Sequence, residues 1–350
     1  MAKNTALNKA AKSQEDEFYT EMRDITDEIN FYVPFFHDKV VLCNCDDPYE
    51  SNFFKYFASS FKFLKLKKLI ASSYDRSPVA QTQLSLFEEN KPPQERTPYR
   101  AVMVELDFEG DRIKGFQDIE HALKTREGVV KKLKGDGDFR SSECIELLKQ
   151  ADIVVTNPPF SLFREFVAQL IQYDKKFLIL GNHNAITYKE IFPLIMQNKM
   201  WLGITNGDKS FKVPSYYEPR ATRYWQDESG QKYRSLGNMC WFTNLENKKR
   251  NEEMLLVNSY YENPEKYPKY DNYDVIEVGK LSDIPRDYDG VMGVPVTFLD
   301  KYNPKQFEIL GCTESEGKGF SNGLWDPSSN VAQPLIRGEK IYKRIFIRRK

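Results

Sequence analysis

Apolar residues in the first two-thirds of the chain gather into short β-branched runs with no helical period, separated by stretches where they recur every three or four positions. The runs are 39–46 (KVVLCNCD), 67–72 (KKLIAS), 101–107 (AVMVELD), 152–156 (DIVVT) and 176–181 (KFLILG). Such runs, apolar on both faces, read as strands of a largely parallel, buried sheet. Between them, FFKYFASSFKFL, SECIELLKQ and SLFREFVAQLIQY carry a helical stripe, with Ser141 placed to cap the second. A further helical stretch follows Thr20 and runs through Phe31, ending before Pro34, and NMCWFTNL (238–245) reads as a late core strand. This alternation predicts an α/β chain with a doubly wound, Rossmann-like sheet.

Three regions break the pattern. Residues 1–15 are polar with Lys3, Lys9 and Lys12, and read as a mobile basic arm. Residues 72–98 are rich in Pro, Ser and Gln without a packing period, and read as a loop inserted in the core. Beyond about 205 the texture turns aromatic, polar and proline-rich, so the expected division is a catalytic core over 16–248 and a target-recognition region over 249–350.

Composition narrows the class. With 40% hydrophobic and 14% aromatic residues, the 350-residue chain can bury a sizeable core, which excludes wholesale disorder. Lys+Arg and Asp+Glu are equal at 51 each, so any polyanion must be met by local clustering of charge. Five cysteines without a C-x-x-C pair and three scattered histidines argue against a metal site and for reduced thiols in the cytoplasm. No run of about 18 apolar residues occurs, so no membrane span is expected.

The densest chemistry is Asn157-Pro158-Pro159-Phe160, directly after the strand 152–156. Two consecutive prolines fix φ and remove two backbone N–H groups, leaving carbonyl acceptors, a side-chain amide and an aromatic ring at a strand's carboxyl end. Those groups suit an exocyclic amine held flat against a π-face. The motif resembles that of S-adenosylmethionine-dependent amino methyltransferases. The resemblance implies that Asn157 and the Pro158 carbonyl accept from the target NH2, that Pro159 stiffens the turn, and that Phe160 stacks on the substrate. The blocks DEFYT, CNCDDP-x-x-SNFFKYF and TNPPFSLFRE are together similar to the EcoRI-type adenine-N6 DNA modification methylases. That resemblance implies S-adenosylmethionine as cofactor, bound by Phe18, Tyr19, Thr20, Asn44, Asp46, Asp47, Pro48, Asp138 and Phe139. It also implies double-stranded DNA as substrate, with a cognate restriction endonuclease as a possible companion. One departure stands out: Ser51 and Asn52 occupy places where the wider family has a glycine-rich turn.

Arg220, Arg223, Lys340, Lys343, Arg344, Arg348 and Arg349 crowd into two windows with interleaved aromatics, as a DNA cleft requires; a strand-edge cationic run is the bland reading of the C-terminal ones. In the 72–98 loop, Gln83, Leu84, Leu86 and Phe87 resemble the pentapeptide that docks bacterial proteins on the sliding clamp. Two alternatives stay open. One is a protein glutamine-N5 methyltransferase; the other is a DNA-binding or clamp-associated module whose cofactor site has decayed.

Overall fold

The computed structural model describes residues 19–45, 51–73, 102–107, 130–213, 217–313, 320–326 and 328–350. The chain divides into two compact units, one holding residues up to His183 with Thr205–Leu245, the other Asn184–Ile204 with Glu246–Lys350.

In the first unit the strands are β1 (Tyr19–Thr20), β2 (Val40–Asn44), β3 (Lys68–Ser72), β4 (Val102–Asp107), β5 (Val130–Lys132), β6 (Ile153–Thr156), β7 (Lys176–Asn182), β8 (Gly207–Val213), β9 (Tyr224–Gln226) and β10 (Lys232–Thr243). They lie in the order β1-β8-β10-β7-β6-β2-β3-β4-β5, with β9 also paired to β10. The centre, β7-β6-β2-β3, is parallel. The strand expected over 101–107 forms, but runs antiparallel to β3, so the sheet is mixed. From β2 the chain moves outward through β3, β4 and β5, then returns to β6 on the other side of β2. That reversal creates a crevice at the carboxyl ends of β2 and β6, where open α/β sheets bind ligands.

Alternate residues of the central strands face opposite layers. Val41, Cys43, Leu69, Ala71, Ile153, Val155, Leu178, Leu180 and Trp241 join a core closed by α1 (Met22–Ile29) and α2 (Asn52–Ser59), including Ile25, Ile29, Phe53, Phe54 and Phe57. Among the residues packing elsewhere are those of α3 (Ser142–Gln150) and α4 (Phe163–Gln172), where Phe163 meets Phe242 with centroids 5.0 Å apart. A Cβ at Gly181 would lie 2.6 Å from the Phe163 ring, so this strand position accepts only glycine without a shift. Asp152 fixes the far end of the crevice strands: its carboxylate accepts from Val40 N (2.8 Å) and its own N–H donates to Val40 O (2.9 Å).

In the second unit, α5 (Phe192–Met196) accompanies a four-stranded sheet of β11 (Ile276–Glu277), β12 (Met292–Pro295), β13 (Phe307–Cys312) and β14 (Arg344–Arg349), in the order β11-β12-β14-β13. The C-terminal cationic run is thus a central strand, hydrogen-bonded on both sides, and not an edge. Ile345, Phe346 and Ile347 are buried in its middle. No helix among the described residues is long and apolar enough to cross a membrane.

Candidate active site

Strand β2 ends at Asn44 and β6 at Thr156, side by side at the topological switch. The Thr156 hydroxyl donates to the Asn44 carbonyl, tying the two ends together. Asn157 follows immediately and is 7% exposed. Pro158 is buried, and Pro159 becomes the N-cap of a 3-10 turn, Phe160–Leu162, closed by Leu162 N donating to Pro159 O at 3.0 Å. Phe160 is half-buried, one part of its ring packed on the core cluster. The motif is therefore rigid by composition and by its anchoring: an amide and carbonyl at the strand end, with a ring beside them. Thr156 was not singled out from sequence, although a polar residue closing a β-branched run at the crevice is the signal that would have found it.

Around the end of β2, several polar atoms are enclosed without a hydrogen-bond partner among the described residues. These are Asn44 Oδ1, Thr20 Oγ1 and Glu21 Oε1. Thr20, which leads into the expected helix, lies in edge strand β1, paired with Phe211, and its carbonyl accepts from Asn52 Nδ2 at 2.8 Å. Ser51, buried, caps α2 by accepting from Phe54 N at 3.3 Å. Thus Ser51 and Asn52 replace a glycine-rich turn with a capped helix start, a signal present in the sequence as Ser-Asn before an amphipathic run. Cys45, directly after β2, has a left-handed backbone at φ 77°. Burial, opposed by Lys212 and assisted by Asp24, pushes the Glu21 carboxyl above its usual range. Enclosed acceptors are costly unless a ligand supplies donors, and an amino-acid and ribose-bearing ligand brings ammonium and hydroxyl donors. Thr20 and Asn44 therefore fit the expected cofactor. Phe18, Asp46, Asp47 and Pro48 lie outside the described residues, as does the Tyr19 side chain.

The 135–140 loop turns at Gly137 (φ 78°) and leads to Ser141, which caps α3 as predicted by accepting from Cys144 N at 3.3 Å. Asp138 is held by Arg140: Oδ1 accepts from the backbone N–H (2.8 Å) and Nε (2.9 Å), and Oδ2 from Nη2 (2.7 Å). Arg140 Nη1 reaches on to Glu165 at 2.8 Å. The Arg140 hydrogen bonds hold the Asp138 carboxyl below the usual range. One acceptor direction remains at Oδ2. Phe139 is 6% exposed, in edge contact with Phe166 at 5.1 Å and under the Arg140 guanidinium at 5.4 Å, so its ring closes the core beneath the loop.

A family model described as the adenine-specific methyltransferase EcoRI matches residues 6–350. The chain belongs to that family. It is 50% identical over 351 residues to the Type II methyltransferase M.EcoRI of Escherichia coli, covering 100% of this chain and 98% of that one. It is 40% identical over 351 residues to the Type II methyltransferase M.MgeORF184P of Mycoplasma genitalium, with 98% of each chain covered. To M.MpnI of Mycoplasma pneumoniae, also a Type II methyltransferase, it is 39% identical over 351 residues, again with 98% of each covered. No solved structure matches. As a member of the EcoRI methylase family, the protein is a site-specific, adenine-specific DNA methyltransferase of the restriction-modification type, and its methyl donor is S-adenosylmethionine.

The cations expected to meet DNA in this EcoRI-family enzyme divide sharply. In the first unit, Arg220 lies 5.9 Å from the Tyr217 ring and Arg223 pairs with Asp208 at 3.1 Å, both well exposed. In the second, Lys340 is exposed, Lys343 Nζ donates to Thr187 Oγ1 at 2.9 Å, and Arg348 pairs with Glu308 at 2.9 Å. Arg349 lines a groove of about 740 Å³ with Arg286, Lys305 and Lys350, cations the sequence reading did not select. Arg344 is a correction. Its side chain is 12% exposed and meets the Glu277 carboxylate, 11% exposed, through Nη2 at 2.6 Å and Nε at 3.0 Å, so it serves the fold and has no donor to offer a phosphate. Gln83, Leu84, Leu86 and Phe87 lie outside the described residues.

Proposed function

We propose that the enzyme methylates the N6 amine of an adenine extruded from duplex DNA. The observation that carries this is Asn157, buried at the carboxyl end of β6 beside the half-exposed ring of Phe160. Adenine N6 is conjugated with its ring and is enclosed in a duplex, so the base must leave the stack at a cost of about a few kcal/mol. Stacking on Phe160 returns about 1–3 kcal/mol of that. The Asn157 side-chain oxygen and the Pro158 carbonyl accept hydrogen bonds from the two N6–H groups, drawing the lone pair out of conjugation and aiming it, so that orientation supplies most of the catalysis and the one surplus proton leaves to solvent after transfer. S-adenosylmethionine supplies the electrophilic methyl group. Thr20 and Asn44 hold it, with Phe18 and Tyr19 beside Thr20, Asp46, Asp47 and Pro48 in the loop after β2, and Asp138 receiving its adenine amine at the remaining Oδ2 direction. Phe139 supports that loop from beneath.

DNA contact is carried by Arg220, Arg223, Lys340, Lys343, Arg348 and Arg349, with residues 249–350 supplying target recognition and residues 1–15 an accessory arm. The enzyme acts in the cytoplasm on a site guarded against a cognate restriction endonuclease. Gln83-Leu84-Ser85-Leu86-Phe87 tethers it to a sliding clamp, a step testable by whether a 79–91 peptide captures purified clamp and loses it on Leu86→Ala with Phe87→Ala.

Transfer of labelled methyl from S-adenosylmethionine to DNA, followed by long-read mapping of the modified base, tests the central claim. Asn157→Ala should abolish transfer while leaving DNA binding nearly intact; an active variant, or methyl found on cytosine, overturns it. Titration calorimetry with S-adenosylmethionine separates this reading from a decayed module, which would show no heat.

A further inference from the structure

Strand β10 is longer than its neighbours, at 12 residues, and only its second half belongs to the parallel layer. Met239–Thr243 pair with β7, Met239 lying opposite Asn182, the last residue of that strand. Residues before Met239 therefore run past the carboxyl edge of the parallel strands, the same edge that carries Asn157. There Lys232–Leu236 pair with β8 on one side, and Lys232–Arg234 with β9 on the other. At about 3.3 Å per residue, Tyr233 stands up to about 20 Å beyond Asn182. A three-stranded ribbon projects beyond that edge, with β7 between its strand β10 and β6.

The two faces of this ribbon differ. Lys209, Phe211 and Val213 of β8 are buried inward. The outward set is Asp208, Ser210 and Lys212 of β8, Tyr233, Ser235 and Gly237 of β10, and Trp225 of β9, by strand alternation and register. Trp225 is 41% exposed and lies parallel to Tyr233, with centroids 5.5 Å apart and planes 6° from parallel. The Tyr233 end of the pair is held. Tyr233 OH donates to Asp227 Oδ2 at 3.0 Å, while Asp227 Oδ1 closes the turn by accepting from Ser229 N (3.0 Å), Ser229 Oγ (2.7 Å) and Gln231 N (3.0 Å). The Arg223 guanidinium lies over Gly237, where a Cβ would come within 2.3 Å of Nη1, and pairs with Asp208, so the carboxylate on this face is already neutralised. Lys212 shares this outer face with Arg223, while Lys232 and Arg234 alternate to the other face, where they meet Tyr217. An exposed aromatic stack on a rigid ribbon costs little entropy to present, and the Lys212 and Arg223 cations beside it complement phosphate.

We propose that the outer face of this ribbon is a DNA-contact surface, with the Trp225–Tyr233 pair packing on the duplex next to the target base and Arg223 reaching its backbone. The inference rests on the reading that Asn157 receives a base from duplex DNA, since only then does the ribbon meet the substrate. Strands and ribbons are established groove readers, and their side chains act on affinity and site choice, not on the reacting atoms.

The test uses the full-length enzyme and a duplex of about 30 base pairs built on the site mapped by sequencing. Trp225→Ala should weaken DNA binding about tenfold or more, with the loss in KM for DNA and not in kcat, and Trp225→Phe should restore most of it. Acrylamide quenching of Trp225 emission, taken as the difference between wild type and Trp225→Phe, should fall severalfold when duplex is added. Binding within twofold of wild type, or unchanged quenching, overturns the ribbon surface while wild-type methylation stands. A wild type that neither binds nor methylates the duplex overturns the active-site reading, and the ribbon with it.

Discussion

Two buried polar clusters in this molecule look alike in composition and differ in completeness. In the second unit, Arg344, Glu277 and Tyr270 form a set in which each polar group is answered. Arg344 Nε and Nη2 donate to Glu277, Nη1 donates to the carbonyls of Tyr342 (3.0 Å) and Lys343 (3.2 Å), and Tyr270 OH donates to the same carboxylate. Burial alone would lower the Arg344 pKa, and the hydrogen bonds and charge of Glu277 together with Tyr270 more than reverse that. At the carboxyl ends of β1 and β2, by contrast, Thr20 Oγ1 and Asn44 Oδ1 are enclosed with no partner among the described residues. A matched cluster needs nothing from outside and marks scaffold. An unmatched one keeps acceptors waiting for a donor, which marks a ligand site.

The largest effect should come from breaking the matched cluster. Glu277→Ala leaves a buried guanidinium without its counter-charge and is expected to destabilise the second unit by about 3–5 kcal/mol, read as a lowered denaturant midpoint. If Arg344 instead served DNA, the same variant would keep its midpoint and lose affinity. Next is Asn157→Ala, expected to reduce methyl transfer by about 10²–10³-fold or more, as for loss of one oriented polar group at a reacting centre, with the melting curve little changed. Together these separate a scaffold residue from a catalytic one by which measurement moves.

The sequence reading reached the parallel centre, α3 with its Ser141 cap, α4 and the placement of Asn157-Pro158-Pro159-Phe160, because continuous β-branched runs and paired prolines constrain backbone locally. It placed Tyr19–Thr20 in a helix approach when they form an edge strand, since their partners Phe211 and Lys212 are almost 200 residues away and no local pattern encodes that pairing. Arg344 misled for the same reason: within KRIFIRR it resembles its neighbours, and only the fold brings Glu277 to it. The antiparallel direction of β4 was equally invisible, because an apolar run carries no direction. Motif chemistry is legible where it is contiguous, and polar partnership is not.

A smaller effect should sharpen the comparison from the other side. Thr20→Val keeps shape and removes the enclosed hydroxyl, so the ligand-free enzyme should gain about 1 kcal/mol in chemical denaturation. S-adenosylmethionine should bind about tenfold more weakly by calorimetry, because a donor on the ligand loses its acceptor. Gain of stability with loss of affinity is the signature of an unmatched site; loss of both would place Thr20 with the scaffold.

Asp138 stands between the two classes, since Arg140 answers most of its carboxylate and one acceptor direction remains. Its folded pKa lies below the ordinary 3.8, chiefly through the Arg140 hydrogen bond. A depressed carboxyl contributes stability that is fully present above the unfolded value and is lost as pH falls through the lowered folded value. The difference in unfolding free energy between wild type and Asp138→Asn should therefore be largest above 3.8 and shrink toward zero in stronger acid, as chemical denaturation at stepped pH would show. Because the Arg140 side chain is half exposed, the whole difference should be small and should fall further with added salt. Were the carboxylate only a brace for Arg140, this acid-range profile would be the sole change. If it also receives the cofactor's adenine amine, Asp138→Asn, which can still accept through its amide oxygen, should lose less affinity for S-adenosylmethionine than Asp138→Ala at the same pH. Equal affinity in wild type and both variants would assign Asp138 to the matched class.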